Sequence, residues 1–394
     1  MSEFMFTSES VTEGHPDKLC DQISDAIVDR FLQQDPLSRI NAECAVSTGI
    51  LFVAAHFASE GRIDVPGVAR EVIREIGYEE EEFDARRCSV MTSLVELRDG
   101  LRPINDERSL DDDAIERLTA VDQVTTFGFA CRHTPSLMPL PIVLAHDLAR
   151  RLAALHREGK LPYLGADGKT QVGVEFHDRR PARIHGISIV ASLRRDGAPP
   201  LRRVRDDVHA LVIEPAFAES EIPLDARTRI VVAAGGDLLV GGPALHSGLT
   251  GRKTGVDTYG EFARHSGAAL SGKDPSRIDR IGAYAARHVA KNVVAAGLAD
   301  ECEVQLSYTI GVAHPVSVEL STAGTGRRPD SEIARRVRAC FDLRVGGIVR
   351  AFDLRHLPSR GRGYFFRRLA AYGQVGREDL ELPWEATGAA AALR

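Results

Sequence analysis

Residues 170–193 read TQVGVEFHDRRPARIHGISIVASL. Two β-rich runs, 170–176 and 184–193, flank a polar turn that begins at Asp178. Runs of this kind, bounded by turn residues, are typical of a β-hairpin. Valine and leucine then recur at helical spacing over 201–213, which indicates an amphipathic helix. The stretch therefore predicts a unit of two strands followed by one helix.

The same unit occurs twice more along the chain. In one copy the runs 45–57 and 87–96 enclose a predicted helix over 65–76, and in the other the runs 303–312 and 317–320 precede a helix over 331–341. The copies lie roughly 130 residues apart, which is too long for a solenoid repeat. We therefore predict an α/β (α+β) fold of three similar units, with mixed or antiparallel sheets and helices on one face.

Three long helices are predicted outside these units. One begins at Pro16, where proline suits a first helical turn, and ends before Asp35. The others cover 142–156 and 280–296. Segment 99–113 is acidic, contains a proline and has little periodicity, so we interpret it as a mobile loop, with a plain solvated linker as the alternative.

The composition excludes some classes of binding partner. The chain carries 50 basic and 56 acidic residues, a formal charge of -6, which excludes a generally basic surface for nucleic acid. No uncharged apolar run approaches the roughly 18 residues of a membrane helix, and no signal peptide is recognisable, so we expect a cytoplasmic protein without a membrane partner. The six cysteines form no zinc-binding pattern and are expected to be reduced core residues.

Two glycine-containing loops end in basic residues. They are Gly-Leu-Thr-Gly-Arg-Lys at 248–253 and Ser-Gly-Lys-Asp-Pro at 271–275. Glycine allows a backbone to approach phosphate closely, and lysine or arginine supplies the opposite charge. Neither loop has the spacing of a nucleotide P-loop, and each alone is compatible with a surface turn. Together with Lys169 and the helix start at 14–18, they predict an oligophosphate site.

These motifs, in this order, resemble those of the S-adenosylmethionine synthetase (methionine adenosyltransferase) family. The resemblance covers nearly the whole chain, through residues 6–10, 13–18, 248–253, 257–260, 271–275, 284–287, 371–373 and 383–385. It implies three α/β domains related by pseudo-threefold symmetry, here approximately 1–104, 118–239 and 240–394 and expected to interleave. It also implies a homodimer, often paired into a tetramer, with active sites between subunits.

The resemblance further implies ATP as co-substrate and Mg²⁺ and K⁺ as cofactors. In the family reaction a thioether sulfur attacks C5′ of ATP, and the expelled triphosphate is hydrolysed to pyrophosphate and phosphate. Because a thioether carries no proton to remove, this step needs stabilisation of the leaving charge rather than a general base. The family pattern assigns binding of the triphosphate to Lys169, Arg252, Lys253 and Lys273, and nucleotide contacts to Asp167 and Ala269. It assigns Mg²⁺ to Asp17 and Asp279 and K⁺ to Glu43. It places His15 at the leaving oxygen and Asp122 near the substrate.

Departures from the family pattern are concentrated on the methionine side. Two carboxylates that meet the ammonium group of methionine align with His56 and His246, a lysine aligns with Arg277, and a loop glutamine falls near Asp106. Two negative charges thus become neutral or positive. One hypothesis is therefore that the acceptor is a methionine-like thioether that lacks the free amine or carries an anion in its place.

Three alternatives stay open. The first is an ordinary S-adenosylmethionine synthetase with a repacked pocket, in which Asp106 or another acid meets the ammonium group. The second is a catalytically weak paralogue that regulates a synthetase, and the third is a triphosphate hydrolase without transfer. Adenine recognition is also open, because an Arg-Phe pair that contacts adenosine in the family aligns with Asp237-Leu238.

Overall fold

The computed structural model describes residues 3–79, 83–97, 102–194, 196–218, 220–233, 241–361 and 363–394. Its strands are β1 (Glu3–Val11), β2 (Arg39–Ser47), β3 (Ile50–Ala58), β4 (Ser89–Glu96), β5 (Val124–Cys131), β6 (Leu164–His177), β7 (Arg180–Leu193), β8 (Arg229–Ala233), β9 (Gly248–Leu249), β10 (Glu301–Tyr308) and β11 (Ser317–Ser321). Its α-helices are α1 (Pro16–Gln34), α2 (Val65–Ile76), α3 (Asp112–Glu116), α4 (Leu140–Arg157), α5 (Leu201–Val208), α6 (Glu214–Phe217), α7 (Thr254–Asp257), α8 (Ile278–Ala295), α9 (Asp330–Cys340), α10 (Val345–Phe352), α11 (Phe366–Leu369) and α12 (Ala390–Leu393). Within these ranges, every helix is too short or too polar to cross a membrane.

The described strands form three sheets with related topologies, two of four strands and one of three. Their strand orders are β9-β2-β3-β4, β1-β6-β7-β8 and β5-β10-β11. In each sheet the first strand of a hairpin pairs with an antiparallel strand from a distant part of the chain. In the first two sheets the second hairpin strand also pairs with a parallel strand that follows a helix. The predicted α/β fold of three similar units with mixed or antiparallel sheets is therefore confirmed.

The hairpin predicted over 170–193 is formed by β6 and β7. Val172 lies opposite Ile187, and both side chains are buried. The turn places Asp178 and Arg179 at φ 49° and 64°, which is the backbone of a two-residue type I′ hairpin turn. Apolar side chains of α4 and α5 pack on this sheet in one hydrophobic core, so the alternation along the strands does define a buried face.

The first and second units each depart from the prediction in one place. The run 45–57 is two strands rather than one, because the chain turns at Thr48, which has φ 50°. The helix predicted over 201–213 is α-helical only to Val208 and then forms a π-helical turn that leads into α6. Pro215 has no N–H to donate to the carbonyl of Leu211, so a continuous α-helix is interrupted there.

The segment interpreted as a mobile loop or linker is anchored in its described part, 102–113. Arg102 donates two hydrogen bonds to Asp35, at 2.7 and 2.8 Å. Glu107 is buried and accepts two hydrogen bonds from Arg355, at 2.6 and 2.8 Å. Paired charges at two points thus tie 102–113 to the rest of the chain, which contradicts a plain solvated linker, whereas the mobile loop stays a prediction.

The sheet β9-β2-β3-β4 has one covered and one open face. Helices α1 and α2 pack on the covered face. The open face carries exposed apolar side chains that include Ile50, Phe52, Met91 and Leu249. Five of the six cysteines are buried as predicted, but Cys340 is exposed at the end of α9; all six are unpaired.

Candidate active site

The N-terminus of α1 lies at a point of very close backbone approach. A Cβ atom at Gly14 would lie 2.3 Å from a carbonyl oxygen of β6, and one at Gly248 would lie 2.2 Å from the first peptide of α1. Only glycine permits both contacts. His15 caps the helix, is buried, and accepts the N–H of Asp17 on its Nδ1 atom at 3.2 Å. The helix start is therefore held between β6 and β9.

His15 faces two side chains from other segments, Asp167 of β6 and His246. The rings of His15 and His246 have their centroids 5.0 Å apart. His246 Nε2–H donates to Asp167 Oδ2 at 3.0 Å, and the N–H of Gly242 donates to the same oxygen at 2.8 Å. The other oxygen, Asp167 Oδ1, is buried and finds no hydrogen-bond partner within the described ranges. Asp167, Lys169 and His246 line a cavity of about 180 Å³.

Burial and hydrogen bonding determine the protonation states of His15 and Asp167. Burial lowers the pKa of His15 to about 4, although Asp167 and Asp17 act in the opposite direction. Burial alone would raise the pKa of Asp167, but the hydrogen bond from His246 and the other neighbours hold it below its usual value. At neutral pH the site thus combines a neutral His15 with an ionised Asp167.

Basic side chains surround the start of α1. Arg252 Nη1 lies 3.7 Å from Asp17 Oδ1, and Lys253 Nζ lies 3.6 Å from a carboxylate oxygen of Glu9. Lys169 is exposed on β6, two residues beyond Asp167. Together with the N-terminal end of the α1 dipole, these cations favour an anion at this place.

Contacts with α1 and with Ala269 hold the loop 248–253 in place. Gly251 has φ 81°, and a Cβ atom there would lie 2.3 Å from the Cβ of Ala269. The N–H of Gly251 donates to Asp21 Oδ1 of α1 at 2.8 Å. Ala269 therefore packs directly against the loop that carries Arg252 and Lys253.

The second glycine loop lies against β2. Gly272 has φ 82°, and a Cβ atom there would lie 2.0 Å from a carbonyl oxygen of β2. Lys273 Nζ lies 3.1 Å from Asp279 Oδ1, while Asp279 Oδ2 is buried without a hydrogen-bond partner from any described residue. Arg277, at the start of α8, lies 2.7 Å from Asp122. This second group thus contains both charge signs in close contact.

Comparison with known proteins identifies the family. Models of the S-adenosylmethionine synthetase N-terminal, central and C-terminal domains match residues 3–98, 117–238 and 240–386. The chain belongs to the S-adenosylmethionine synthetase family. It is thus an enzyme of the methionine adenosyltransferase type, as its motifs predict.

Curated relatives match this synthetase-family chain over its length. An S-adenosylmethionine synthase of Gloeothece citriformis is 48% identical, with 99% of this chain and 96% of that protein covered. One of Gloeobacter violaceus is 49% identical over 100% of this chain and 98% of the relative. An S-adenosylmethionine synthase of Trichormus variabilis is 48% identical over 99% of this chain and 96% of the relative.

Most positions that the synthetase pattern assigns lie in the two groups described above. The first group comprises His15, Asp17, Asp167, Lys169, Arg252 and Lys253, with His246 and Ala269 beside it. The second comprises Lys273, Asp279, Arg277 and Asp122. Asp237-Leu238, which aligns with the adenosine-contacting pair of the synthetases, lies outside the described residues.

Two assigned positions lie apart, on the open face of the first sheet. His56 is exposed on β3 opposite Asn41, and Glu43 is exposed two residues further along β2. His246 adjoins the other end of β2, where Ser247 Oγ donates to the hydroxyl of Ser47. Asn41 and Ser47 are six residues apart, which is about 20 Å along a strand. His56 and His246 therefore do not meet within one synthetase chain.

Asp106 is also engaged elsewhere. Its carboxylate contacts His356 Nε2 at 2.6 Å and accepts a hydrogen bond from Arg108 at 2.9 Å. Burial would raise the pKa of Asp106, but its hydrogen bonds with Arg108 and His356 lower it to about 2. In this structure the Asp106 carboxylate thus stabilises segment 102–113 and is not part of the cluster at His15.

Sequence reasoning missed a polar stripe on α1. The stripe consists of Lys18, Asp21, Asp25 and Asp29, which are all fully buried. Besides the bond from Asp21 to the first loop, Asp25 accepts the N–H of Gly272 at 2.8 Å, and Lys18 donates to Asp21 at 2.9 Å. The stripe therefore positions both glycine loops. Ionisable residues spaced three or four apart in an otherwise apolar helix were the available signal.

Two carboxylates of the site suit a hard cation. Asp17 and Asp279 are each more than nine-tenths buried, and Asp279 Oδ2 has no described hydrogen-bond partner. Mg²⁺ prefers oxygen ligands of this kind. Glu43 offers a further carboxylate on the open face of β2, where Asn41 donates to it at 3.4 Å.

Proposed function

We propose that this chain transfers the adenosyl group of ATP to a thioether sulfur and hydrolyses the released triphosphate to pyrophosphate and phosphate. The observation that carries the proposal is the buried His15 at the N-terminus of α1, beside Asp17 and the basic residues of the 248–253 loop. In the transfer, a sulfur lone pair forms the C5′–S bond while the C5′–O electrons leave with the triphosphate. The protein has no proton to remove, so its task is to stabilise the leaving charge.

The tautomer of His15 suits this task. Its Nδ1 accepts the Asp17 N–H, so the neutral imidazole carries its proton on Nε2. Nε2–H can therefore donate a hydrogen bond to the leaving oxygen. The helix dipole of α1 adds to this effect. Lys169, Arg252, Lys253 and Lys273 are the cations that we assign to the phosphate chain, and Asp167 and Ala269 are the assigned nucleotide contacts.

We assign Mg²⁺ to Asp17 and Asp279 and K⁺ to Glu43. A bound magnesium ion would supply positive charge to the phosphate oxygens. Asp122 and Arg277 form an ion pair in the second group, and we place them on the acceptor side of the site.

We further propose a homodimer, or a tetramer built from dimers, in which active sites lie between subunits. The exposed apolar face of the first sheet supports this assembly, because faces of this kind are typical of protein interfaces. His56 and Glu43 lie on that face, about 20 Å and about 13 Å from the end of β2 that adjoins His246, so a second subunit would be needed to complete the site. The cytoplasmic location stays a prediction.

For the acceptor, we propose a methionine-like thioether that lacks a free ammonium group or carries an anion in its place. His56 and His246 stand where the family pattern has carboxylates, and His246 is hydrogen-bonded to the nearest carboxylate, Asp167. Losing two charge-assisted hydrogen bonds of about 1.5 to 3 kcal/mol each would weaken methionine binding by roughly two to four orders of magnitude.

Methionine itself is the second candidate, and one observation favours it. Asp167 Oδ1 is buried and has no hydrogen-bond partner in the described part of the chain, so it can accept an ammonium group. Such a pocket would make this chain an ordinary S-adenosylmethionine synthase, which is the name that its curated relatives carry. Asp106 does not serve as that acid here, since His356 and Arg108 occupy it.

An acceptor screen separates these functions. The purified chain is given ATP, Mg²⁺ and K⁺ with methionine, its 2-oxo acid, 3-methylthiopropionate or N-acetylmethionine, and adenosyl products are measured by mass spectrometry. Preference for the amine-free or acylated acceptors supports the altered acceptor, whereas efficient use of methionine alone supports the ordinary synthase.

Two further outcomes would contradict adenosyl transfer. Hydrolysis of added triphosphate without any adenosyl product would indicate a hydrolase. Inactivity with every thioether, combined with binding to a synthetase whose activity it changes, would indicate a regulatory paralogue.

A further inference from the structure

Three metal-ligating side chains from separate segments meet beside the start of α1. They are His15, Asp167 and His246, and one ligand atom of each lies within 4.8 Å of the others. Across the described ranges, this is the one group of three or more His, Cys, Asp or Glu residues with such spacing. His246 Nε2 and Asp167 Oδ2 are 3.0 Å apart. Adjacent ligands at about 2.1 Å from an octahedral ion are about 3.0 Å apart, so this pair needs no movement.

A second observation points to a ligand at this place. Asp167 is more than nine-tenths buried, and its Oδ1 atom has no hydrogen-bond partner among the residues that the structure describes. A buried carboxylate oxygen without a partner is costly, and a cation would satisfy it. The cavity of about 180 Å³ beside Asp167 has room for an ion with its water. His246 is one-third exposed and gives access from solvent.

The protons of both histidines can be rearranged locally. A metal bound to His246 Nε2 takes the place of the proton that this atom shares with Asp167 Oδ2. At His15 the proton would move from Nε2 to Nδ1, which now accepts the Asp17 N–H, so metal binding costs this one cap hydrogen bond. The new Nδ1–H would lie 3.8 Å from the Asp17 carboxylate, and a carboxylate behind a metal-bound histidine is the usual arrangement that orients such a ligand. The three ligands are thus available at the cost of one hydrogen bond at the start of α1.

We propose that His15, Asp167 and His246 bind one divalent transition metal ion, such as Zn²⁺ or Co²⁺, and that the bound ion stops adenosyl transfer. Two imidazoles and one carboxylate select such metals over Mg²⁺, which prefers oxygen ligands. The inhibition rests on the proposed function, because it follows from loss of the His15 proton that would face the leaving oxygen. The metal site itself does not depend on that function.

Metal binding is tested without nucleotide or acceptor. The metal-free chain is titrated with Co²⁺ and followed by visible absorption, and its Zn²⁺ affinity is measured against a chromophoric chelator in millimolar Mg²⁺. We expect one ion per chain and a loss of affinity in His246→Asn that exceeds the roughly 10- to 100-fold cost of removing an outer-shell partner, because His246 is a direct ligand. His314→Asn, an exposed histidine that contacts Glu116, should bind like the unaltered chain.

Equal affinity in the unaltered chain, His246→Asn and Asp167→Asn would overturn the site, as would binding that Mg²⁺ abolishes. Thermal melting checks that each variant is folded. In the transfer assay, with each rate taken relative to the same protein's zinc-free rate, Zn²⁺ should inhibit the unaltered chain and His314→Asn more strongly than His246→Asn. Equal inhibition of all three would overturn the inhibitory effect, whereas a chain that binds Zn²⁺ but transfers no adenosyl group would overturn only the proposed function.

Discussion

Asp25 and Arg280 form a two-pronged ion pair between helices α1 and α8, with both side chains fully buried. The oxygen–nitrogen distances are 2.7 and 2.8 Å, and Asp25 also accepts the N–H of Gly272. The pair therefore joins the loop that carries Lys273 to α1, the helix that His15 caps. The relative position of the two charged groups of the site depends on residues outside both groups.

Asp25→Asn should destabilise the fold strongly, because it leaves the Arg280 charge buried without its partner. Removing one member of a buried ion pair costs about 3 to 5 kcal/mol. Urea denaturation measures the free energy of unfolding. The double variant Asp25→Asn/Arg280→Met should be less destabilised than Asp25→Asn alone, and an unfolding midpoint for Asp25→Asn equal to that of the unaltered chain would contradict the prediction.

His15→Asn and His15→Ala should both lower kcat about 10²- to 10³-fold, the usual effect of losing one donor to a leaving oxygen. The two variants should differ in stability by about 1 kcal/mol, because asparagine caps a helix and alanine does not. Steady-state kinetics with the best acceptor of the screen and thermal unfolding give the two quantities. Unchanged turnover in both variants would remove His15 from the transfer step.

His133 should make the fold sensitive to acid. Burial lowers its pKa from 6.5 to about 4, so between these values the unfolded chain binds more protons than the folded chain. Stability should therefore fall as the pH falls from 6.5 to 4, by at most about 3 kcal/mol from this residue. Melting temperatures at pH 7 and 4.5 test this, and the drop should be smaller in His133→Gln. An equal drop would show that His133 does not contribute.

The double variant His56→Glu/His246→Asp should shift preference towards methionine. Restoring two carboxylates should raise kcat/KM for methionine relative to 3-methylthiopropionate by about two to four orders of magnitude. Each single variant should give part of the shift, and His314→Glu should give none. An unchanged ratio in the double variant would show that neither histidine selects the acceptor.

Phe52→Asp should separate the proposed dimer into monomers. The substitution places a charge on the apolar open face of the first sheet, where Phe52 is 40% exposed. Light scattering coupled to gel filtration reports the mass, and adenosyl transfer should be lost with the dimer. Leu211→Asp places the same charge at a residue 44% exposed in the central unit and should leave the mass unchanged. A dimeric, active Phe52→Asp would place the interface elsewhere.

Local elements could be predicted because nearby residues specify them. The helix over 65–76 has the predicted bounds, since Asp64 accepts the N–H of Gly67 at its start and Gly77 ends it at φ 94°. The run 45–57 has the pattern of a single strand because its turn at Thr48 lies between two apolar strands. The buried stripe of α1 was missed because its partners are glycine loops more than 200 positions away.

The sequence by itself determined the family, the three repeated units and the residue types that suit a phosphate site. These features depend on motifs and periodicities that span a few residues each. Only the tertiary structure decided that His246 binds Asp167, 79 positions away, that Asp106 binds His356, 250 positions away, and that His56 lies on an open sheet face. Strand register and loop closure set these contacts, and a shift of one residue in register would turn His56 to the opposite face.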